Sequence, residues 1–318
     1  MAQDAARIDG GYNAGTRALD NRQYEAAIQY FDRVINAKSD RADGALYWKA
    51  YALNRLGRRD EARTVLASLR RDYPNSRWLN DAQALEAEAK QGSGKPVSPA
   101  DESNEDLKLM AINSLMNADP GKAIPLLDGI LKGSSSPKLK DRAIFVLTQN
   151  HSPEANKLLT DYAGGAANPD LQLRAIRYLG MGGTADTRQQ LTLLYRKSSD
   201  VEVKKAILMS LAISGDGSGV LDLARDEKNP ALRGLAIRDA AITGKVSPDS
   251  LVKLYGSESD PNVKKEIVNS MMMRGDAKIL VELARKETDP ALKKTIVERL
   301  SMMQNNKEAT DYMLELLK

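Results

Sequence analysis

The sequence contains no cysteine, which removes disulfides, thiolate metal sites and cysteine nucleophiles. Its one histidine cannot by itself build a multi-histidine metal site or a Ser-His-Asp relay. Aromatic residues are only 5% of the chain. Ala, Leu, Ile and Met carry most of the 42% apolar content, a balance that favours helix. No run approaches the roughly 18–20 apolar residues of a membrane-spanning helix. Charge of one sign is in only mild excess, since the net is +4 with 28% of residues charged. There is accordingly no polybasic tail or acidic arm. What remains is a chain of 318 residues, long enough for two ordinary domains or one elongated array.

Candidate helices dominate, and no convincing period-2 strand is present. The stretch KQGSGKPVSPADESN, Lys90 to Asn104, gathers Gly, Ser and Pro with little apolar content and reads as a linker. It divides the chain into residues 8–91, a connection over 92–103, and residues 104–318. Basic residues are mostly Arg before it and mostly Lys after it.

Within residues 8–91, NRQYEAAIQYFDRVI and LGRRDEARTVLASLRRDYP align with Ala27 over Ala62, Phe31 over Leu66 and Val34 over Leu69. Small and bulky apolar residues recur at helical spacing, as two packed antiparallel helices require. The pattern resembles the tetratricopeptide repeat, on Gly15, Tyr24, Ala27 and Phe31 in one repeat and Leu46, Gly57, Ala62, Leu66 and Pro74 in the next. It departs where Gly11 stands for a large aromatic and Ala50 for a small glycine. NSRWLNDAQALEAEAK supplies a last helix, with Trp78 and Leu85 to close a stack of about two and a half repeats.

After the linker, seven origins recur every 29 to 32 residues: Glu105, Pro137, Pro169, Val201, Pro230, Pro261 and Pro290. Two, six, seven and ten residues beyond each origin the chain is always apolar, as in Leu139, Ala143, Ile144 and Leu147. These offsets share one side of a helix. The residue before each origin is Asn, Ser or Asp, a good N-cap, and five origins are Pro, which suits the first helical position. Shorter Leu-rich helices lie between, three of them opened by Asp119-Pro120, Ser152-Pro153 and Ser247-Pro248. The segments DPNVK, DPALK, NPALR and SPKLK make this array resemble the HEAT repeat, in the short bacterial form of the phycobilisome-lyase-like group. The two resemblances imply an all-α fold of the α-α superhelix (solenoid) class, a TPR-like array joined to a HEAT-repeat array. They place the Pro-led helices on the concave face. By the family pattern the basic residues three beyond the origins, such as Lys140, Lys204 and Arg233, form a ladder with the capping side chains.

Chemistry is sparse. His151 sits beside a helix start and reads as a loop or cap residue. GDGSG, Gly215 to Gly219, lacks the strand and the Lys-Ser/Thr of a phosphate loop and reads as an inter-helix turn. Arg274-Gly275-Asp276 reads as a last-turn cation, a left-handed helix stop and the N-cap of the next helix. Carboxylates follow the repeat, whereas a catalytic pair should break it. Both tryptophans, Trp48 and Trp78, lie in the first array, which argues against base or tetrapyrrole stacking on the second. We expect no enzyme activity, no cofactor and no metal site.

Binding remains, because helical repeats present long surfaces to which each repeat donates a few side chains. Offsets 4, 5, 8 and 12 oppose the core side and give Arg142, Phe145, Arg174, Arg177, Met181, Lys205, Met209 and Arg238. A mixed Arg/Met/Phe strip has the composition of an adaptable protein-binding surface, set against the blander reading of solvated helix faces. The first array would offer Tyr47, Lys49, Tyr51 and Asn54, some of which must be core. The expected function is a non-catalytic, monomeric scaffold that binds a protein or peptide partner. The alternative is nucleic-acid binding along a basic concave track, motivated by a pI near 9.0. The start MAQDAARIDG lacks a signal peptide's basic and apolar regions. It is similar to a mature exported chain beginning at Ala2-Gln3-Asp4, which implies a periplasmic location, with a cytoplasmic one as the alternative.

Overall fold

The computed structural model describes residues 2–91, 110–111, 114, 120–150, 152–303 and 305–317. Among them helix is the only regular structure, and the chain forms two compact units, residues 1–175 and 176–318. The linker stretch 92–103, His151, Asp119 and the first HEAT-type repeat's Leu107, Ile112 and Leu115 lie outside the described residues. That repeat's Ala111 is described and is exposed, so the core register does not extend to it.

In the first unit, helices α1 (Ala2–Asp20), α2 (Tyr24–Asn36), α3 (Ala42–Arg55), α4 (Arg59–Asp72) and α5 (Leu79–Gln91) pack in sequence order. The small residues mark the closest approaches. A Cβ at Gly15 of α1 would lie 2.6 Å from the Phe31 ring of α2, which is why that position is glycine. The aromatic missing at Gly11 is supplied one residue later, since Tyr12 is buried with its ring edge-on to Phe31 at 5.8 Å. Tyr47 stacks on Trp78 at 4.8 Å, and Trp48 meets both of them edge-on, so the chain's few aromatics are concentrated in this one core. The same unit takes in α6 (Pro120–Lys132), α7 (Pro137–Gln149), α8 (Pro153–Ala163) and the first turns of α9 (Pro169–Gly182).

The second unit holds the rest of α9 and the pairs that follow it. Its Pro-led or Val-led helices are α11 (Val201–Ile213), α13 (Pro230–Ile242), α15 (Pro261–Met273) and α17 (Pro290–Ser301). Alternating with them are α10 (Ala185–Lys197), α12 (Gly217–Asp226), α14 (Pro248–Ser257), α16 (Ala277–Lys286) and α18 (Lys307–Glu315). α11, α13, α15 and α17 lie side by side. At Gly180 of α9 a Cβ would strike the Ser210 backbone of α11 at 2.7 Å, so a side chain there would force those helices apart.

The four apolar offsets are buried in all six repeats from Pro137 to Pro290, except Val297, which is half-buried. The caps behave as their chemistry dictates. Ser136, Asn168, Asp200, Asn229, Asp260 and Asp289 each accept a hydrogen bond from a first-turn amide. Ser152 and Ser247 do the same for α8 and α14. Turns between paired helices pass through Gly183, Gly215, Gly244 and Gly275, all left-handed with φ from 61° to 80°. GDGSG is therefore a turn and helix start. Gly275 is likewise a helix stop, but Asp276 makes no capping bond, because its carboxylate pairs with Arg274 Nε at 3.0 Å.

Replacing the buried Ile237 by alanine is expected to destabilise the second unit by about 2–5 kcal/mol. Replacing the exposed Met273 by alanine should change it by no more than about 0.5 kcal/mol. Urea unfolding followed by circular dichroism distinguishes the two.

Candidate functional site

The face of the first array that sequence reasoning offered to a partner is filled by the chain itself. Tyr47, Tyr51 and Asn54 are buried, and half-buried Lys49 is tied to Asp32 at 2.5 Å. The occupants come from α7 and α9 in the same unit. Asp170, in the first turn of α9, accepts hydrogen bonds at Oδ2 from Tyr12 Oη and Trp48 Nε1, both at 2.9 Å. Arg41 donates to its other oxygen at 3.4 Å while lying over the Tyr12 ring at 4.1 Å. Burial, and then the adjacent Asp170 charge, push the Tyr12 phenol well above its ordinary range, so it stays a donor. Beside this, buried Lys140 donates to Asp81 at 2.7 Å, and Asn168 donates to the same oxygen at 3.1 Å while capping α9. Burial lowers the Lys140 pKa and the Asp81 charge opposes that shift. Arg77 reaches Gln172 at 2.6 Å, and Ser134 bonds Glu88. The groove is an internal interface: the donors around Asp170 and Asp81 have partners within the chain, while Tyr47 Oη and Asn54 Oδ1 are buried without one.

The ladder of basic residues is also built differently from the family pattern. In the second unit its partners are the glutamates two residues before the caps Asn229, Asp260 and Asp289, whereas Ser198 holds that place before Asp200. Glu227 accepts from Lys204 Nζ at 2.8 Å and Tyr195 Oη at 2.6 Å, while its other oxygen takes the Asn229 amide at 2.9 Å. Glu258 holds the fork of Arg233 at 2.8 and 2.9 Å and the Asp260 amide at 2.8 Å. Glu287 takes the Tyr255 hydroxyl and the Asp289 amide, with Lys264 seated 4.8 Å over the Tyr255 ring. The physical reason is geometric: the Oδ1 of each capping side chain accepts first-turn amides, and the glutamate acceptors lie two residues earlier. Burial would raise all three carboxyls, but the hydrogen bonds from Lys204, Arg233 and Tyr255 outweigh it and hold them below the ordinary 4.5. The phenols of Tyr195 and Tyr255 move up in turn, through burial and then the carboxylate bonds.

The expected binding strip is placed as follows. In the first unit, Arg142 and Phe145 are half-buried and stacked on each other, with the guanidinium 4.7 Å from the ring centre. Arg174 is half-buried and paired with Asp141 at 2.6 Å. In the second unit, Arg177, Met181, Lys205, Met209 and Arg238 are all exposed. Lys205 pairs with Glu202 at 2.8 Å and Arg238 lies 3.7 Å from Asp239. Lys205 and Arg238 share a surface hollow of about 570 Å³ between the N-terminal halves of α13 and α15. Its lining includes Gly234, where a Cβ would approach Glu266 to 3.2 Å. Met181 lies at the opposite, C-terminal end of its helix. Sequence reasoning passed over Ile213 and Ile242, which occupy the offset of Met181 and are equally exposed. The signal was present, but it lay in the position and not in the residue type.

Among the described residues, no group of three or more His, Cys, Asp or Glu is placed to hold a metal ion. No described helix is long and apolar enough to cross a membrane.

Comparison with known families agrees with the two repeat types and their order. The tetratricopeptide repeat profile matches residues 44–76, and the HEAT repeats profile matches residues 124–212. The first match spans α3 and α4, and the second runs from α6 into α11. The protein is thus an all-α repeat protein with a TPR-type segment ahead of a HEAT-type segment. No curated protein and no solved structure matches the chain.

Two outcomes follow from these carboxylates. Asp170→Ala leaves the Trp48 and Tyr12 donors without their acceptor and should destabilise the first unit by about 1–3 kcal/mol, read from the denaturation midpoint of tryptophan emission. The three lowered glutamates contribute stability that is present above pH 4.5 and lost as pH falls through their folded values. Asp20 and Asp239, raised by burial, titrate in the opposite sense, so the comparison with a variant is the readout. A Glu227→Gln, Glu258→Gln, Glu287→Gln variant should be less stable near neutrality and show a flatter loss of melting temperature on acidification.

Proposed function

We propose that the chain is a non-catalytic scaffold or adaptor, and that it binds a protein or peptide partner on the exposed side of its Pro-led helices. Proteins built from TPR and HEAT repeats generally serve as interaction scaffolds. The observation that carries the reading is the exposure of large apolar side chains, Met181 and Met209, among the cations Arg177, Lys205 and Arg238. Protein interfaces are enriched in Met and Arg. Division by repeat type at residues 92–103 belongs to the same proposal. The filled groove of the first array supports placing the partner elsewhere, on the strip Arg177, Met181, Lys205, Met209 and Arg238. Arg142, Phe145 and Arg174 form its more enclosed continuation in sequence, and Arg174 is better spared in a test because Asp141 depends on it. Nucleic-acid binding has less support, since Arg174 and Lys205 already hold carboxylates.

Crosslinking pull-down from the native host tests the reading. Arg177→Glu combined with Met209→Glu should reduce partner recovery at least about tenfold, a loss of roughly 1.4 kcal/mol, with the circular dichroism unchanged. Undiminished recovery rejects the strip. Recovery of nucleic acid with a steep salt dependence supports the alternative instead.

A further inference from the structure

One feature of the second unit goes beyond exposure at scattered positions. Twelve residues past five successive origins stand Met181, Ile213, Ile242, Met273 and Met302. Each is a large apolar residue, and each is between 53% and 69% exposed. The corresponding position in the repeat before them is Gln149, so the row begins at Met181. A single exposed apolar residue needs no explanation, but an uninterrupted row does. None of the five belongs to the buried offsets, and the left-handed glycine turns need no apolar residue two positions ahead of them.

The row is a line in space as well as in sequence. Met181 is the penultimate residue of α9, Ile213, Ile242 and Met273 end α11, α13 and α15, and Met302 caps α17. Successive helices of this set lie side by side, with Gly180 against Ser210 at the first contact. Packed helices lie about 8–10 Å apart, which sets the spacing of the rungs. A polyproline II segment has three residues per turn and rises about 3.1 Å per residue, so every third side chain falls on one face about 9 Å from the last. An extended β-strand puts residues three apart on opposite faces, and a helix would need six or seven residues per rung. The rung spacing therefore matches the polyproline II conformer.

Charge sets the remaining chemistry. On the same side of the helices stand Arg177, Lys205, Arg238, Lys265 and Lys294, against Glu202, Glu266 and Glu298, with Asp239 beside Arg238. Arg177 lies one turn before Met181 and Arg238 one turn before Ile242. Lys205 and Arg238 keep only short-range pairs to neighbours in their own helices, and no ion pair to Arg177 is present among the described residues.

We propose that this row is the docking edge for an extended acidic peptide, in polyproline II conformation, with an apolar side chain at every third position and carboxylates between. The proposal rests on the reading of the strip as a partner site and names the partner's chemistry. Apolar side chains of the peptide lie against the Met/Ile rungs, whose unbranched methionines adapt to different shapes. Carboxylates of the peptide face Arg177 and Arg238, each one turn before its rung.

The test uses the full chain and fluorescein-labelled peptides of about five triplets, one per rung, read by fluorescence anisotropy. Leu-Pro-Glu triplets should bind at least about tenfold more tightly than Leu-Pro-Lys or Ser-Pro-Glu triplets. Ile213→Ser with Ile242→Ser should abolish that advantage. Arg177→Glu with Arg238→Glu should shift preference toward the Leu-Pro-Lys peptide. All four positions are exposed, and circular dichroism checks the fold. Equal or absent binding of the three peptides overturns the inference, as does Leu-Pro-Glu binding that survives the isoleucine substitutions. Binding of wild-type chain to phosphatidylglycerol vesicles, lost in the isoleucine variant and without peptide binding, overturns it in favour of a lipid-facing row. If the Arg177/Met209 variant loses the native partner while the isoleucine variant keeps it, the scaffold reading stands and the acidic-peptide inference falls. If neither variant changes recovery, the scaffold reading falls and the peptide measurement alone decides the row's preference.

Discussion

A helical hairpin cannot bury its apolar side alone, and in this protein carboxylates at the junctions tie hairpins together and fix their register. Asp81 and Asp170 do this in the first unit, and Glu227, Glu258 and Glu287 do it in the second. The recurrent form is economical: one glutamate oxygen takes the amide of the capping residue in its own loop. The other takes a Tyr, Lys or Arg from the preceding repeat. Cap and junction are then positioned by one side chain. A slip of one residue would bury these carboxylates without donors, and an unpaired buried charge is far worse than an unpaired hydroxyl.

The energetic roles of core and junction differ. Alanines, leucines and isoleucines at the four buried offsets supply the driving force, which is non-directional and scales with area. They would tolerate many small rotations of one helix on the next. Charged hydrogen bonds contribute less net stability but are directional, so they select among those rotations. In the first unit this division is sharpest. Its aromatic core, from Tyr12 through Trp78, meets the HEAT-type helices through Asp170, whose partners sit 122 to 158 residues away in sequence.

That distance explains which parts were legible in the sequence. The repeat type, the helix starts and the buried positions from Leu139 to Leu300 follow from local period and cap chemistry, and these are the parts that agree. Gly15, Trp78 and Leu85 took their expected places for the same reason. Asp170 looks like an ordinary first-turn acid, and nothing local says that Trp48 will donate to it. Tyr47, Tyr51 and Asn54 were expected in an open groove because a single array read by itself has one, and closure by α7 and α9 is a tertiary fact. Glu227, Glu258 and Glu287 could have been found, since each precedes a cap by two residues. Family pattern directed attention to the capping side chains instead. Ile213 and Ile242 do not stand out by residue type, because the physical regularity is exposure at a fixed offset.

These contacts also restrict where a partner can act. The tryptophan, tyrosine and arginine donors of this groove already surround Asp170, and its unpartnered Tyr47 Oη and Asn54 Oδ1 are buried. Entry there would require breaking the interface that closes the first unit. The exposed side of α9 through α17 makes no such demand, because the Met and Ile rungs already face water and burying them releases it. Binding on that side leaves the junction glutamates and the core undisturbed. Association there can therefore be weak or strong according to the partner's own side chains, without breaking any contact that holds the repeats together, and by linkage a tight partner adds to their stability.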